Sequence, residues 1–135
     1  MKIQQLFFET AWDKTISQQD RTQIEELFQQ TQAITTSAIT FVLVRTAVNH
    51  REELLVTALI HNFTEMAQDL TDSTVNLCWS GQQIATLSIN DSRLQLPAKT
   101  SMPWTFIYPS VDGANELETS SLHLVLFINE KNSKH

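Results

Sequence analysis

The hydrophobic period of this chain changes near residue 35, and that change decides most of what it can fold into. Before it, Ile24, Leu27 and Phe28 recur at helical spacing while Gln23, Glu25, Glu26 and Gln29 fall on the opposite side. Ser17 stands just ahead of Gln18-Gln19-Asp20. A serine there caps the first turn, and an acid in that turn suits the positive end of the helix dipole. The spacing predicts a helix over about 17–32. Leu6-Phe7-Phe8 and Trp12 precede it. They are too apolar to be left in water and are expected to pack on the domain.

From Thr36 onward the period is two. Thr40, Val42, Val44, Thr46 and Val48 alternate with Phe41, Leu43, Arg45 and Ala47. A polar turn, Asn49 to Glu53, leads into a second β run from Leu54 to Phe63, and the two read as a hairpin. Met66 to Ser73 is a polar connector. Ser73 to Trp79 and Gln82 to Asn90 form a second hairpin around Ser80-Gly81. Leu94 to Leu96 is short and stops at Pro97. Met102 to Tyr108 is a strand bracketed by Pro103 and Pro109, which suits a sheet edge. Its Trp104, Phe106 and Tyr108 share one face, Thr105 and Ile107 the other. Val111 to Asn115 is a loop, and Thr119 to Asn129 is a last long strand.

The expected fold is mainly β: an immunoglobulin-like antiparallel β-sandwich of six or seven strands, with the N-terminal helix packed on it. A chain of 135 residues suits one domain. It divides into a helical region over about 1–35, the sandwich over about 36–130 and a solvated tail over 131–135.

Glycine is scarce. Gly81 and Gly113 are the only two, where ordinary usage of about 7% would supply roughly nine. Phosphate-cradling loops need several glycines close together, so that nucleotide chemistry is excluded. The corners must instead be turned by Asn49, Asn62, Asn90-Asp91, Pro97 and Pro109. Gly81 is expected at positive φ.

Other chemistry is sparse as well. The net charge is −6 and the nine Lys and Arg are scattered, which excludes the basic face of a nucleic-acid binder. Cys78 is alone, so no disulfide forms within the chain, and its apolar surroundings read as a small buried hydrophobe. His50, His61, His123 and His135 show no metal-ligand spacing. No nucleophile elbow is present and no acid–base–nucleophile set can be named. The expectation is a non-enzymatic chain without cofactor or metal. No window approaches the roughly 20 apolar residues of a membrane span, and the N-terminus lacks a signal-peptide core. A cytoplasmic protein is expected, with peripheral attachment to a membrane left open.

Three segments carry a family resemblance. The first is Phe8-Glu9-Thr10-Ala11-Trp12-Asp13-Lys14-Thr15-Ile16-Ser17-Gln18-Gln19-Asp20-Arg21, a tryptophan followed by a Ser-x-x-Asp-Arg helix start. The second is Val56-Thr57-Ala58-Leu59-Ile60-His61-Asn62, a strand ending in asparagine. The third, and most specific, runs Leu96-Pro97-Ala98-Lys99-Thr100-Ser101-Met102-Pro103-Trp104-Thr105-Phe106-Ile107-Tyr108-Pro109. In this order they resemble the SLAP domain, named for the S-layer assembly protein of the accessory Sec system in Gram-positive Bacillus-like bacteria. The likeness runs from about residue 6 to 109. It implies a cytoplasmic helper that works with the accessory Sec ATPase to export S-layer proteins, and it brings no catalytic residues.

The positions it marks are Trp12, Asp20, Arg21, Asn62, Pro103 and Trp104, as partner contacts or as structural residues. The expected function is a protein-binding adaptor whose partners are the accessory Sec ATPase or S-layer precursors. The edge between Pro103 and Pro109 is open to strand addition or to a second copy of the chain. The alternative is a carbohydrate- or cell-wall-binding module that stacks sugars on Trp12 or Trp104.

Overall fold

The computed structural model describes residues 3–33, 38–109 and 111–127. Helix α2 spans Gln18–Thr31, and the Ser17 hydroxyl accepts the Asp20 N–H at 3.0 Å, as its sequence signature predicts. Its Ile24 and Phe28 are buried. A shorter helix, α1, covers Thr10–Thr15 and is capped by the Glu9 carboxylate, which accepts from the Ala11 N–H. Ahead of it, β1 is only Gln5–Leu6.

The strands that follow are β2 (Ile39–Val48), β3 (Leu54–Asn62), β4 (Gln68–Asp69), β5 (Thr74–Trp79), β6 (Gln82–Ser88), β7 (Gln95–Leu96), β8 (Thr100–Tyr108) and β9 (Leu122–Phe127). One sheet has the order β1-β8-β3-β2, a second β6-β5-β9, and β4 pairs with β7. Both expected hairpins form, β2 with β3 and β5 with β6. The fold is the mainly β sandwich that the alternation implies.

The molecule is layered as helix, four-stranded sheet and three-stranded sheet. Val56, Ala58 and Ile60 of β3, with Met102, Trp104, Phe106 and Tyr108 of β8, face Val75 and Leu77 of β5 and Leu122 and Leu124 of β9 in one core. The Tyr108 hydroxyl reaches across the sheets and donates to the Val75 carbonyl at 2.9 Å. The opposite face of β3 presents Leu59 to Ile24 and Phe28 of α2. Central β3 is therefore covered on both sides, which is why its run is apolar at nearly every position.

Several boundaries differ from expectation. The strand expected from Met102 starts at Thr100, and Pro103 lies inside it rather than bracketing it. Thr100 and Ser101 belong to the strand because they continue its ladder with Asn62 and His61 of β3, and β1 pairs with them in parallel on the other side. The last strand starts at Leu122 and not Thr119, since Thr119–Ser121 closes a single 3-10 turn. The polar connector holds the short strand β4, whose partner β7 lies 27 residues on, beyond the reach of any local pattern. Cys78 is half-buried rather than buried. Ile128, Asn129 and the tail over 131–135 lie outside the described residues, as does the junction at 34–37.

The glycine shortage leaves a mark on the backbone. Gly81 has φ +82° as expected, and Ser80 beside it has φ +50°. Two central residues at positive φ are what a two-residue hairpin requires. Elsewhere Glu52, Asp72 and Lys99 adopt positive φ where glycine would be relaxed. A Cβ at Gly81 would meet nothing within 4 Å. Gly81→Ala is thus expected to cost only the backbone term, about 1–2 kcal/mol in urea unfolding. A loss well above that would mean that a side chain at this turn meets a neighbour.

Candidate functional site

The N-terminal layer is tied down by ions. Asp20 and Arg45 of β2 form a bidentate pair at 2.8 and 2.8 Å. The guanidinium holds the Asp20 carboxyl below its usual range, and the carboxylate raises Arg45 in return. Arg21 reaches back to the Asp13 carboxylate at 2.6 Å and lies 4.5 Å over the Phe8 ring. Ser17 does the capping, so Asp20 and Arg21 serve instead to join α2 to β2 and to the segment before it. Such pairs, exposed as they are, contribute little stability each.

Trp12 is half-buried on α1, in contact with both apolar clusters. It lines an open groove of about 430 Å³ with Ile16, Asp20 and Arg93. Trp104 is 9% exposed, and the Arg93 guanidinium lies 5.0 Å from its ring centroid. Arg93 is itself held by Asp91 at 2.9 and 2.6 Å and stands 3.7 Å from Glu9. This contact lowers the Asp91 carboxyl. Trp104 is therefore a core residue with an arginine lid. Trp79 is the most exposed tryptophan at 37%.

Pro103 is buried inside β8. The Ser101 carbonyl accepts from the Phe7 N–H at 2.8 Å, so residue 101 faces β1, and alternation turns residue 103 to that same side. Proline's missing N–H costs no bond to β3 there.

Asn62 is fully buried at the end of β3. Its amide nitrogen donates to the Met66, Leu96 and Pro97 carbonyls at 3.0, 3.1 and 2.9 Å. Its amide oxygen accepts from the Thr64 N–H and hydroxyl. Two N–H groups serve three carbonyls, so one bond is shared. One side chain thus ties two backbone segments, 64–66 and 96–97, to the end of β3, which is more than a turn residue does.

His61, next to it, is also fully buried and stacks on Phe63 with centroids 4.7 Å apart. Its Nδ1 lies 2.5 Å from Ser101 Oγ and its Nε2 2.7 Å from Thr31 Oγ1. Gln4 donates to Ser101 Oγ at 3.0 Å, and Thr31 donates to the Leu27 carbonyl at 2.8 Å. One proton arrangement satisfies the row: Ser101 donates to Nδ1, and Nε2–H donates to Thr31. The chain of bonds runs from the N-terminal segment through two strands to the end of α2. Protonated His61 would need Nδ1 to donate as well, against a hydroxyl already committed as donor.

Burial pushes the imidazole down to about 4. The unfolded chain therefore takes up the proton first as pH falls. Stability is complete above about pH 6.5 and declines toward pH 4, by roughly 3 kcal/mol at most. Urea unfolding at pH 7, 5.5 and 4.5 should show this slope, and His61→Gln should flatten it. An unchanged unfolding free energy between pH 7 and 4.5 would refute the assignment.

The structure brings Trp12, Asp20 and, through Arg93, Trp104 to one side of the domain. Arg21 lies behind them against Phe8, and Asn62 and Pro103 sit inside the fold. Arg45, Arg93 and Glu9 complete this side and went unnoticed in the sequence. Only the Asp91-Ser92-Arg93 turn carried a local hint, since an aspartate commonly accepts the N–H two residues on, as here at 3.0 Å. Among the described residues no three His, Cys, Asp or Glu side chains gather as a metal site would need. No described helix is long and apolar enough to cross a membrane. A family model described as the SLAP domain matches residues 6–128. No curated protein and no solved structure gives a match.

Proposed function

This chain belongs to the SLAP domain family, and from that membership we propose that it is a non-enzymatic, protein-binding adaptor that assists accessory-Sec export of S-layer proteins from the cytoplasmic side. Its partners are the accessory Sec ATPase or the S-layer precursors. The observation that carries the reading is the unpaired edge of β8, a long strand that has β3 on one side and, beyond Ser101, no strand among the described residues on the other. Unpaired edges are where chains add strands. The non-enzymatic part is supported by Ser101 and His61. They touch as a nucleophile and base would, but both are sealed from solvent, and His61 points its other nitrogen at a threonine rather than an acid. A sugar-stacking role draws no support from Trp104, whose face is under Arg93.

The test is direct. The full chain, immobilised, is offered purified accessory Sec ATPase and, separately, an S-layer precursor diluted from denaturant. Retention of at least one is expected. Retention of neither overturns the adaptor reading.

A further inference from the structure

We infer that the free edge of β8 receives an extended, proline-free stretch of an unfolded precursor polypeptide as an added strand. The inference rests on the protein-binding reading above and names what is bound and where.

The backbone phase comes first. The Lys99 and Ser101 carbonyls accept from Gln5 and Phe7 at 3.0 and 2.8 Å, so the odd residues of this stretch face away from β3. β8 and β3 stay in unbroken register from Leu54↔Tyr108 to Asn62↔Thr100. Alternation then turns Pro103, Thr105 and Ile107 outward as well, beyond the end of β1. Among the described residues their backbone groups have no backbone partner on that side. One strand already docks on this edge in parallel, so the edge is competent to pair.

Its protection is weak. Proteins blunt exposed edges with bulges, charges or prolines. β2 carries a bulge at Leu43/Arg45 and an arginine, and β6 pairs across a bulge at Leu77/Cys78. β8 has no bulge, and Thr105 and the 45%-exposed Ile107 bring no charge. Pro103 and Pro109 flank this stretch, and between them no proline, bulge or charge interrupts it.

The surroundings select the occupant. The edge is one wall of a groove of about 280 Å³, and Leu87 to Asp91 with Arg93 form the other. Ile89 exchanges backbone bonds with Ser73 and Asp72, so Ser88 turns its own backbone groups toward the groove. A recessed edge admits a single extended chain, whereas a second folded copy would drive its own wall against this one. Inward side chains of the added strand would meet Leu87, Leu94 and Trp104, where the volume suits small apolar residues. Arg93 also lines the groove beside Trp12 and stands between the two.

The test uses the full chain with an S-layer precursor diluted from denaturant as probe, read by amide exchange. Thr105 and Ile107 N–H should exchange at least tenfold more slowly with precursor than without. Ile107→Pro removes an outward N–H in the phase where Pro103 already sits, so the fold should survive with an unchanged thermal midpoint. Its affinity for precursor should fall at least tenfold, while Ile107→Thr, which keeps the N–H, should bind within twofold of wild type. Precursor bound with both amides exchanging as before would overturn the edge inference and leave the adaptor reading standing. Amide protection that rises with the chain's own concentration, without precursor, would overturn it in favour of a second copy. Retention of the ATPase but not of precursor would overturn it in favour of a folded partner.

Discussion

Asn62→Asp is expected to destabilise the domain by about 4 kcal/mol. The substitution keeps the size and shape of the side chain. It replaces a donor to three carbonyls with an oxygen that repels them, in a site with no solvent exposure. Protonating the carboxyl restores one donor at most, so the variant should recover part of its loss as pH falls. Asn62→Ala orphans the same carbonyls without adding charge and is expected to lose about 3 kcal/mol. Urea unfolding of both variants at pH 7 checks the order. A loss under 1 kcal/mol for Asn62→Asp would mean that water reaches the site.

Trp104→Ala should cost about 3–5 kcal/mol, the ordinary range for truncating a core aromatic. Its ring packs in the sandwich core under Arg93. Arg93→Ala should cost far less, since the guanidinium is half-exposed and contributes only a surface cation–π contact. The pair of values separates two roles. A tryptophan kept for contact with a partner would lose binding on truncation while unfolding at nearly the wild-type midpoint. A tryptophan kept for the core would lose both together.

What could be read from sequence was what is encoded locally. Ser17 with Ile24 and Phe28 specified α2, and Ser80-Gly81 between two alternating runs specified a hairpin. The parallel pairing of β1 left no trace, because two residues are too few to show a period. Nor does any local pattern show that Thr100 and Ser101 pair with Asn62 and His61, which is why the expected start of β8 fell short and Pro103 stood at its boundary. The marked positions were visible, but their bonds were not. Asp20 has its partner 25 residues away in Arg45, and nothing about an acid in a helix's first turn names an arginine on a strand. Alternation grouped Trp104, Phe106 and Tyr108 on one face of β8. It did not say which face was inner until Tyr108 was seen bonded to Val75 in the opposite sheet.

The bond from Gln4 to Ser101 joins residues 97 positions apart. The helix layer is made first on the ribosome, yet it rests on β3 and on the start of β8. At about 5–20 residues per second, roughly 5–20 s pass between synthesis of Gln4 and that of Ser101. Throughout that interval Gln4 and β1 lack their seat on β8, while Ile24 and Phe28 can already pack on Leu59 once β2 and β3 close as a hairpin. Assembly therefore runs against the order of synthesis, and the N-terminal segment docks as a late clasp. Truncated nascent chains ending before Thr100 should leave that segment open to protease, and chains extending past Tyr108 should shield it.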